Sequence, residues 1–302
     1  MRDAVKRGTV LRVDAHACLV DVEGEEWLCR VRGRLHSKTR DERGPVAAGD
    51  RVGVRATAPG EGVVEEREPR TSKLSRAGID TRSNEEQVVA ANVDAILVVL
   101  ALREPPLRLG FIDRLLVVAA WEGLTAALVL NKVDLAEPGE IDAVAGPYRE
   151  IGYRVFTTHA VAGEGVAMIR EALAGRSTVV VGQSGVGKST LLNAIQPGLG
   201  IATASVSAST SKGRHTTTAA QLHRLADGGF VVDTPGVREF GLWGIERSEL
   251  ASLFPEMRDL VGRCRFNGCE HTHEPGCAIK AAVGAGIDER RYESYTRILE
   301  TI

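Results

Sequence analysis

The sequence predicts three units in series: an all-β barrel of the OB type, an α/β domain on a largely parallel sheet, and a small helical domain carrying a cysteine and histidine cluster. Three observations predict this multidomain fold. Five short runs of alternating or β-branched character, each broken by charged or glycine turns, occupy about the first seventy residues. Strand-like and helix-like segments then alternate to about residue 244. Beyond that point helix formers surround Cys264, Cys269 and Cys277. We place the domains at 1–70, 71–244 and 245–302 of the 302 residues.

The barrel strands are expected at Thr9 to Val13, Cys18 to Val22, Trp27 to Leu35, Gly49 to Ala56 and Glu61 to Glu68. Cys18 and Cys29 fall on the pattern as packed hydrophobes. Between Arg30 and Arg43 lie six basic residues (Arg30, Arg32, Arg34, Lys38, Arg40, Arg43) against Asp41 and Glu42. This is either a solvated loop or a nucleic-acid contact of the kind such barrels make. Trp27 is the sole aromatic of the segment, so phosphate or shape contact is preferred over base stacking.

The whole chain carries 38 basic and 40 acidic residues, so it is no polycation, and a nucleic-acid partner must be met by local patches. The longest apolar run, Ala95 to Leu102, is far short of the roughly 20 residues of a membrane span. The N-terminus has no apolar secretion signal, which argues against secretion. Five cysteines, three of them clustered, suit a metal site better than disulfides.

In the α/β domain, strands are expected at Ala95 to Ala101, Ala126 to Leu130, Arg154 to Thr157, Thr178 to Val181 and Phe230 to Asp233. Helices are expected at Phe111 to Trp121, Glu140 to Ile151, Gly165 to Ala174 and from Gly187 onward. The polar stretch Ser205 to Thr218 reads as a mobile loop. Gly182, Gln183, Ser184, Gly185, Val186, Gly187, Lys188 and Ser189 fit G-x-x-x-x-G-K-S/T, followed by Thr190. The motif follows an apolar strand and opens a helix, as phosphate binding requires: backbone N–H groups converge on the phosphates at the positive helix end. Lys188 then reaches the β- and γ-phosphates, and Ser189 ligates Mg²⁺.

Asn131, Lys132, Val133 and Asp134 form N-K-x-D after a second apolar strand. A carboxylate there accepts from the two donors of the guanine edge, a pair adenine lacks. Lys132 packs its stem over the base and Asn131 braces the loop. A second base loop is degenerate, with Thr157, Thr158, His159 and Ala160 as candidates. Asp233 and Gly236 of D-x-x-G serve Mg²⁺ and the γ-phosphate, and either Thr216 or Thr217 closes over the metal.

N-K-x-D precedes the glycine loop here, the reverse of the usual order, so the domain reads as circularly permuted. Permutation preserves site geometry because domain termini lie at the surface. Val237 stands where many such enzymes place a water-orienting glutamine. Slow intrinsic turnover follows, with His215 the nearest candidate to take over; a solvent-facing role for that histidine is the alternative.

Cys264, Cys269, His271 and Cys277 supply three thiolates and an imidazole within fourteen residues, a closed set for one structural Zn²⁺. His273 competes with His271 as the fourth ligand.

Together NKVD, GQSGVGKS with Thr190, GRHTTT, DTPGVREFGLW, RTSKLSR and the cysteine and histidine spacing resemble the RsgA (YjeQ) family of small-subunit-dependent GTPases over essentially the whole chain. The resemblance implies a monomeric cytoplasmic enzyme hydrolysing GTP to GDP and phosphate in late maturation of the small (30S) ribosomal subunit, in contact with its rRNA. It further implies stimulation of hydrolysis by that subunit, coupled to release, with His215 catalytic beside Lys188 and His271 as the zinc ligand. The alternative is a GTP-dependent switch on a protein partner.

Overall fold

The computed structural model describes residues 5–33, 35, 44–77, 86–203, 220–234 and 242–302. At the N-terminus, period-two alternation closes a barrel. Strands β1 (Lys6–Val13), β2 (Cys18–Val22), β3 (Glu25–Val31), β4 (Arg51–Ala58) and β5 (Glu61–Arg67) pair in the ring β1-β2-β3-β5-β4 and back to β1. Only the β3–β5 pair is parallel. Closure satisfies the edges that a flat sheet would expose.

Val10, Val20, Val54 and Val64 fill the barrel with Cys18 and Cys29, which face each other across β2 and β3. Burial pushes the Cys18 thiol up to about 12 and that of Cys29 to about 11, so both behave as packing residues. Trp27 also points inward, at 7% exposure, which removes the barrel's one aromatic as a stacking face. β3 ends at Val31, four residues short of the expected Leu35. Of the basic stretch, Arg32 pairs with Glu65 at 2.9 Å. Arg34, Lys38, Arg40 and Arg43 lie outside the described residues.

A hairpin of β6 (Lys73–Ala77) and β7 (Glu86–Ala91) follows. The segment leading into it fastens the barrel down. Arg70 holds Asp50 through contacts of 2.7 and 2.8 Å, with the Asp50 side chain fully buried. At Gly49, with φ +91°, a Cβ would stand 2.1 Å from the Ala91 carbonyl oxygen, so only glycine permits this approach.

β8 (Ala95–Ala101) is buried along its full length, as a strand covered on both faces must be. It lies in the spatial order β10-β9-β8-β11-β13-β12 with β9 (Thr125–Asn131), β10 (Arg154–Thr158), β11 (Arg176–Val181), β12 (Gln221–Arg224) and β13 (Gly229–Asp233). All are parallel except β12, which runs antiparallel to β13 and meets β1 at Arg12 and Gln221. The chain enters this sheet at its middle, builds outward through β9 to β10, then returns to lay β11 beside β8. That path is the structural form of the permutation read from motif order.

Helices α1 (Leu109–Trp121) and α2 (Glu140–Glu150) cover one face, packing Ile112, Leu115 and Tyr148 on Ile96 and Val98. Helices α3 (Val166–Leu173) and α4 (Lys188–Ile195) cover the other, packing Ile169 and Leu191 on Leu97 and Val99. After the sheet come α5 (Pro255–Arg258), α6 (Ala278–Ala282) and α7 (Glu289–Leu299), of which α7 alone exceeds two turns. Their core of Phe254, Met257, Ile279 and Tyr295 also takes in Val117 of α1. Arg291 of α7 crosses this junction, donating to Asp113 at 2.6 Å and Glu256 at 2.7 Å, with all three side chains at most 3% exposed. Tyr148 donates to the same Asp113 oxygen at 2.8 Å. Among the described residues, no helix is long and apolar enough to cross a membrane.

Candidate functional site

β11 runs buried into the middle of the sheet and ends in the glycine loop that opens α4. The loop fits only glycine at two points. A Cβ on Gly182 would stand 2.2 Å from the Val99 carbonyl oxygen, and one on Gly187 (φ +93°) would stand 2.4 Å from Nδ2 of Asn131. No side chain caps α4, so the first N–H groups of the helix are left for an anion. Gln183, Ser184 and Gly185 line the loop, and Ser189 and Thr190 sit in the first turn of α4, half-buried. The Val186 side chain turns into the core at 2% exposure, which leaves only its backbone to a ligand.

Asn131, the last residue of β9, is 2% exposed and joins three loops. Its Nδ2 donates to the Val186 carbonyl at 2.9 Å. Its Oδ1 accepts from the Thr158 hydroxyl at 3.0 Å and from the Ala160 N–H at 3.2 Å. Within the Thr157 to Ala160 segment, Thr158 and Ala160 are the members that anchor it to the N-K-x-D loop. Lys132 takes a left-handed turn at φ +60° and donates to the Glu104 carbonyl at 2.5 Å. Val133 packs against the core. The Asp134 carboxylate is 41% exposed, with Nε2 of His159 3.6 Å away, beyond hydrogen-bond range.

At the phosphate end, Lys188 Nζ donates to the carbonyls of Gly182 at 2.8 Å and Gln183 at 3.0 Å. Burial lowers its pKa, and the charge of Asp233 opposes that shift. Asp233, closing β13, is shifted the opposite way: burial raises it, while Lys188, His223 and the Thr234 N–H pull it down. A cation and a carboxylate thus share one half-buried space, and an incoming phosphate with its metal would complement both. Thr234 is a contributor that motif reading passed over; its buried hydroxyl donates to the Val180 carbonyl at 3.1 Å and pins the end of β13 to β11. His215, Thr216, Thr217, Gly236 and Val237 lie outside the described residues.

The second cluster closes on itself. The ligand atoms of Cys264, Cys269, His271 and Cys277 all lie within 4.8 Å of one another. Nδ1 of His271 is 3.4 Å from both Cys264 Sγ and Cys277 Sγ, and those two sulfurs are 3.8 Å apart. Sulfurs at ~2.3 Å from a tetrahedral centre span an edge of about 3.8 Å, so the cluster fits zinc. Burial lowers the His271 pKa, which keeps the imidazole in its ligand form. Backbone N–H groups of Ala278 and Lys280 reach the sulfurs of Cys264 and Cys277 at 3.4 Å each. Tyr292 donates to the His271 carbonyl at 2.7 Å and holds the loop. His273 is exposed and contacts Thr272 instead, so the choice between the two histidines falls to His271.

Strand order, the glycine loop on β11 and the Asn131 brace define a circularly permuted P-loop GTPase. The sequence matches the model of the RsgA GTPase family over residues 67–243. The chain belongs to that family and is a GTP-hydrolysing enzyme. It is 45% identical to the small ribosomal subunit biogenesis GTPase RsgA of Moorella thermoacetica, over 98% of this chain and 97% of that one. The protein of the same name from Gemmatimonas aurantiaca is 44% identical, over 93% and 92%. Among solved structures, YjeQ from Thermotoga maritima superposes with a TM-score of 0.77 at 33% identity, covering 98% of both chains. YloQ, a circularly permuted GTPase, superposes at 0.73 with 30% identity, covering 100% of this chain and 96% of its own.

Proposed function

We propose that this GTPase binds the small ribosomal subunit through its rRNA, assists late maturation, and leaves when the subunit stimulates GTP hydrolysis. The observation that carries this reading is the 45% identity, across nearly the full length of both chains, to a protein named for small-subunit biogenesis.

Asp134 accepts from the guanine edge, with Asn131, Lys132 and Val133 shaping the base loop. The backbone from Gly182 to Gly187 cradles the phosphates, Lys188 neutralises the β- and γ-phosphate oxygens, and Thr190 supports the same turn. Ser189, one of Thr216 and Thr217, and Asp233 through water would hold Mg²⁺, which screens the phosphate charge when bound; Gly236 would meet the γ-phosphate. Val237 cannot orient water, so His215 does so when the subunit is bound. The domains 1–70, 71–244 and 245–302 then act as a clamp, with the GTPase unit between the barrel and a zinc-held module that uses Cys264, Cys269, His271 and Cys277. We assign the protein to the cytoplasm as a monomer. Co-sedimentation with purified small subunits tests the reading: retention is expected with a non-hydrolysable GTP analogue and loss with GDP, and equal behaviour of the two would overturn it.

A further inference from the structure

We infer that the exposed corner of Arg263, Arg265 and Phe266 is a stacking site for an unpaired RNA base. The inference rests on the rRNA reading above and assigns the chemistry of one contact. Phe266 is 46% exposed, the one aromatic among the large exposed apolar side chains of the described residues. Its neighbours in the same unit, Phe254 and Tyr295, are fully buried.

The ring is backed by charge. The Arg265 guanidinium lies over it at 5.4 Å from the centroid. Arg265 is itself laid in place: its N–H donates to the Gly276 carbonyl at 3.0 Å, and its stem rests against Gly276. A Cβ at Gly276, which sits at φ +74°, would stand 3.0 Å from the Arg265 Cβ. Neither Arg263 nor Arg265 forms an ion pair with a described residue, whereas the acids of this loop are engaged elsewhere. Glu270 pairs with Arg247 at 2.8 Å. Glu274 accepts from the N–H groups of Glu270, Thr272 and His273.

An exposed aromatic ring with the Arg265 guanidinium over it, and the exposed Arg263 two positions earlier in the chain, matches a nucleobase and its flanking phosphates. A protein partner would call for apolar neighbours, and the corner offers only Val261, 38% exposed. The barrel cannot supply this contact, since Trp27 faces its core.

Full-length protein with verified zinc content should be titrated with a labelled single-stranded oligoadenylate and with a strand of the same length that is abasic throughout. Phe266→Ala is expected to weaken binding of the intact strand about tenfold, and Phe266→Tyr to restore it. The abasic strand should bind the parent and Phe266→Ala alike. Arg263→Gln and Arg265→Gln should each reduce the salt slope by about one. Binding of Phe266→Ala equal to the parent, equal weakening of both strands, or no oligoadenylate binding at low salt would each overturn the inference. So would loss of subunit binding in Phe266→Ala with oligoadenylate binding intact, which would mark a protein contact. If the parent discriminates the two strands through Phe266 yet ignores small subunits, the stacking site stands and the small-subunit reading fails.

Discussion

The side-chain amide of Asn131 donates to the carbonyl of Val186 across 2.9 Å, tying the base loop to the phosphate loop. The same amide accepts from Thr158 and Ala160. One buried residue thus sets the relative position of the N-K-x-D loop and the glycine loop, using its hydrogen-bonding capacity inside the protein.

Asn131→Ala orphans a carbonyl, a hydroxyl and an N–H at once. We expect a loss of about 1–3 kcal/mol of stability and a fall in GDP affinity of at least about tenfold. Asn131→Asp keeps the acceptor toward Thr158 and Ala160 but sets a carboxylate against the Val186 carbonyl, so it should also bind GDP weakly. Isothermal titration and thermal melting check both variants; parent-like GDP affinity in Asn131→Ala would remove the brace from the account of binding.

Asp134→Asn exchanges an acceptor for a donor at the pocket rim. Guanine, with its N1–H and exocyclic amine, loses its match, while the 2-oxo group of xanthine gains one. GDP affinity should fall by about a hundredfold or more while xanthosine diphosphate binds better than in the parent. Competition between the two nucleotides for a fluorescent analogue reads the switch.

Metal analysis should find one zinc per chain, and Cys269→Ser should reduce it. Removal by chelator should abolish the near-ultraviolet signal of Tyr292 and Tyr295, which pack beside the cluster. Far-ultraviolet strand signal should persist, because the barrel and the large sheet have their own cores. Acid should release the metal as protons compete for the thiolates.

Arg291→Met strands the Asp113 and Glu256 carboxylates in the core at a cost of about 3–5 kcal/mol. Neutralising them together, as Asp113→Asn and Glu256→Gln in the same chain, should recover part of that loss. Urea denaturation of the single and triple variants measures it. No recovery would mean that Arg291 acts through its packing on Phe254, whose ring lies 4.7 Å from the guanidinium.

Much of this was legible in the sequence. Continuous apolar runs before Asn131 and Gly182 marked buried parallel strands, and motif order announced the permuted path through the sheet. Alternation in the first seventy residues marked the barrel and the inward cysteines. What escaped was set by tertiary pairing. β12 is four residues, QLHR, with no apolar alternation, and is a strand only because β13 and β1 flank it. The β6–β7 hairpin has no tight turn motif to announce it. Arg291 lies in a helix of strongly polar character and reads as solvent-facing, yet two acids from distant segments draw it inside. Residue type alone left His271 and His273 equivalent; the backbone placed one among the thiols and the other at the surface.

The most direct measurement is GTP turnover by the full-length protein, alone and with purified small or large ribosomal subunits, at rising salt. Slow turnover alone, strong stimulation by the small subunit that weakens with salt, and none by the large subunit is the expected result. Fast turnover of the isolated protein, or equal response to both subunits, would contradict a hydrolysis switch thrown by the small subunit.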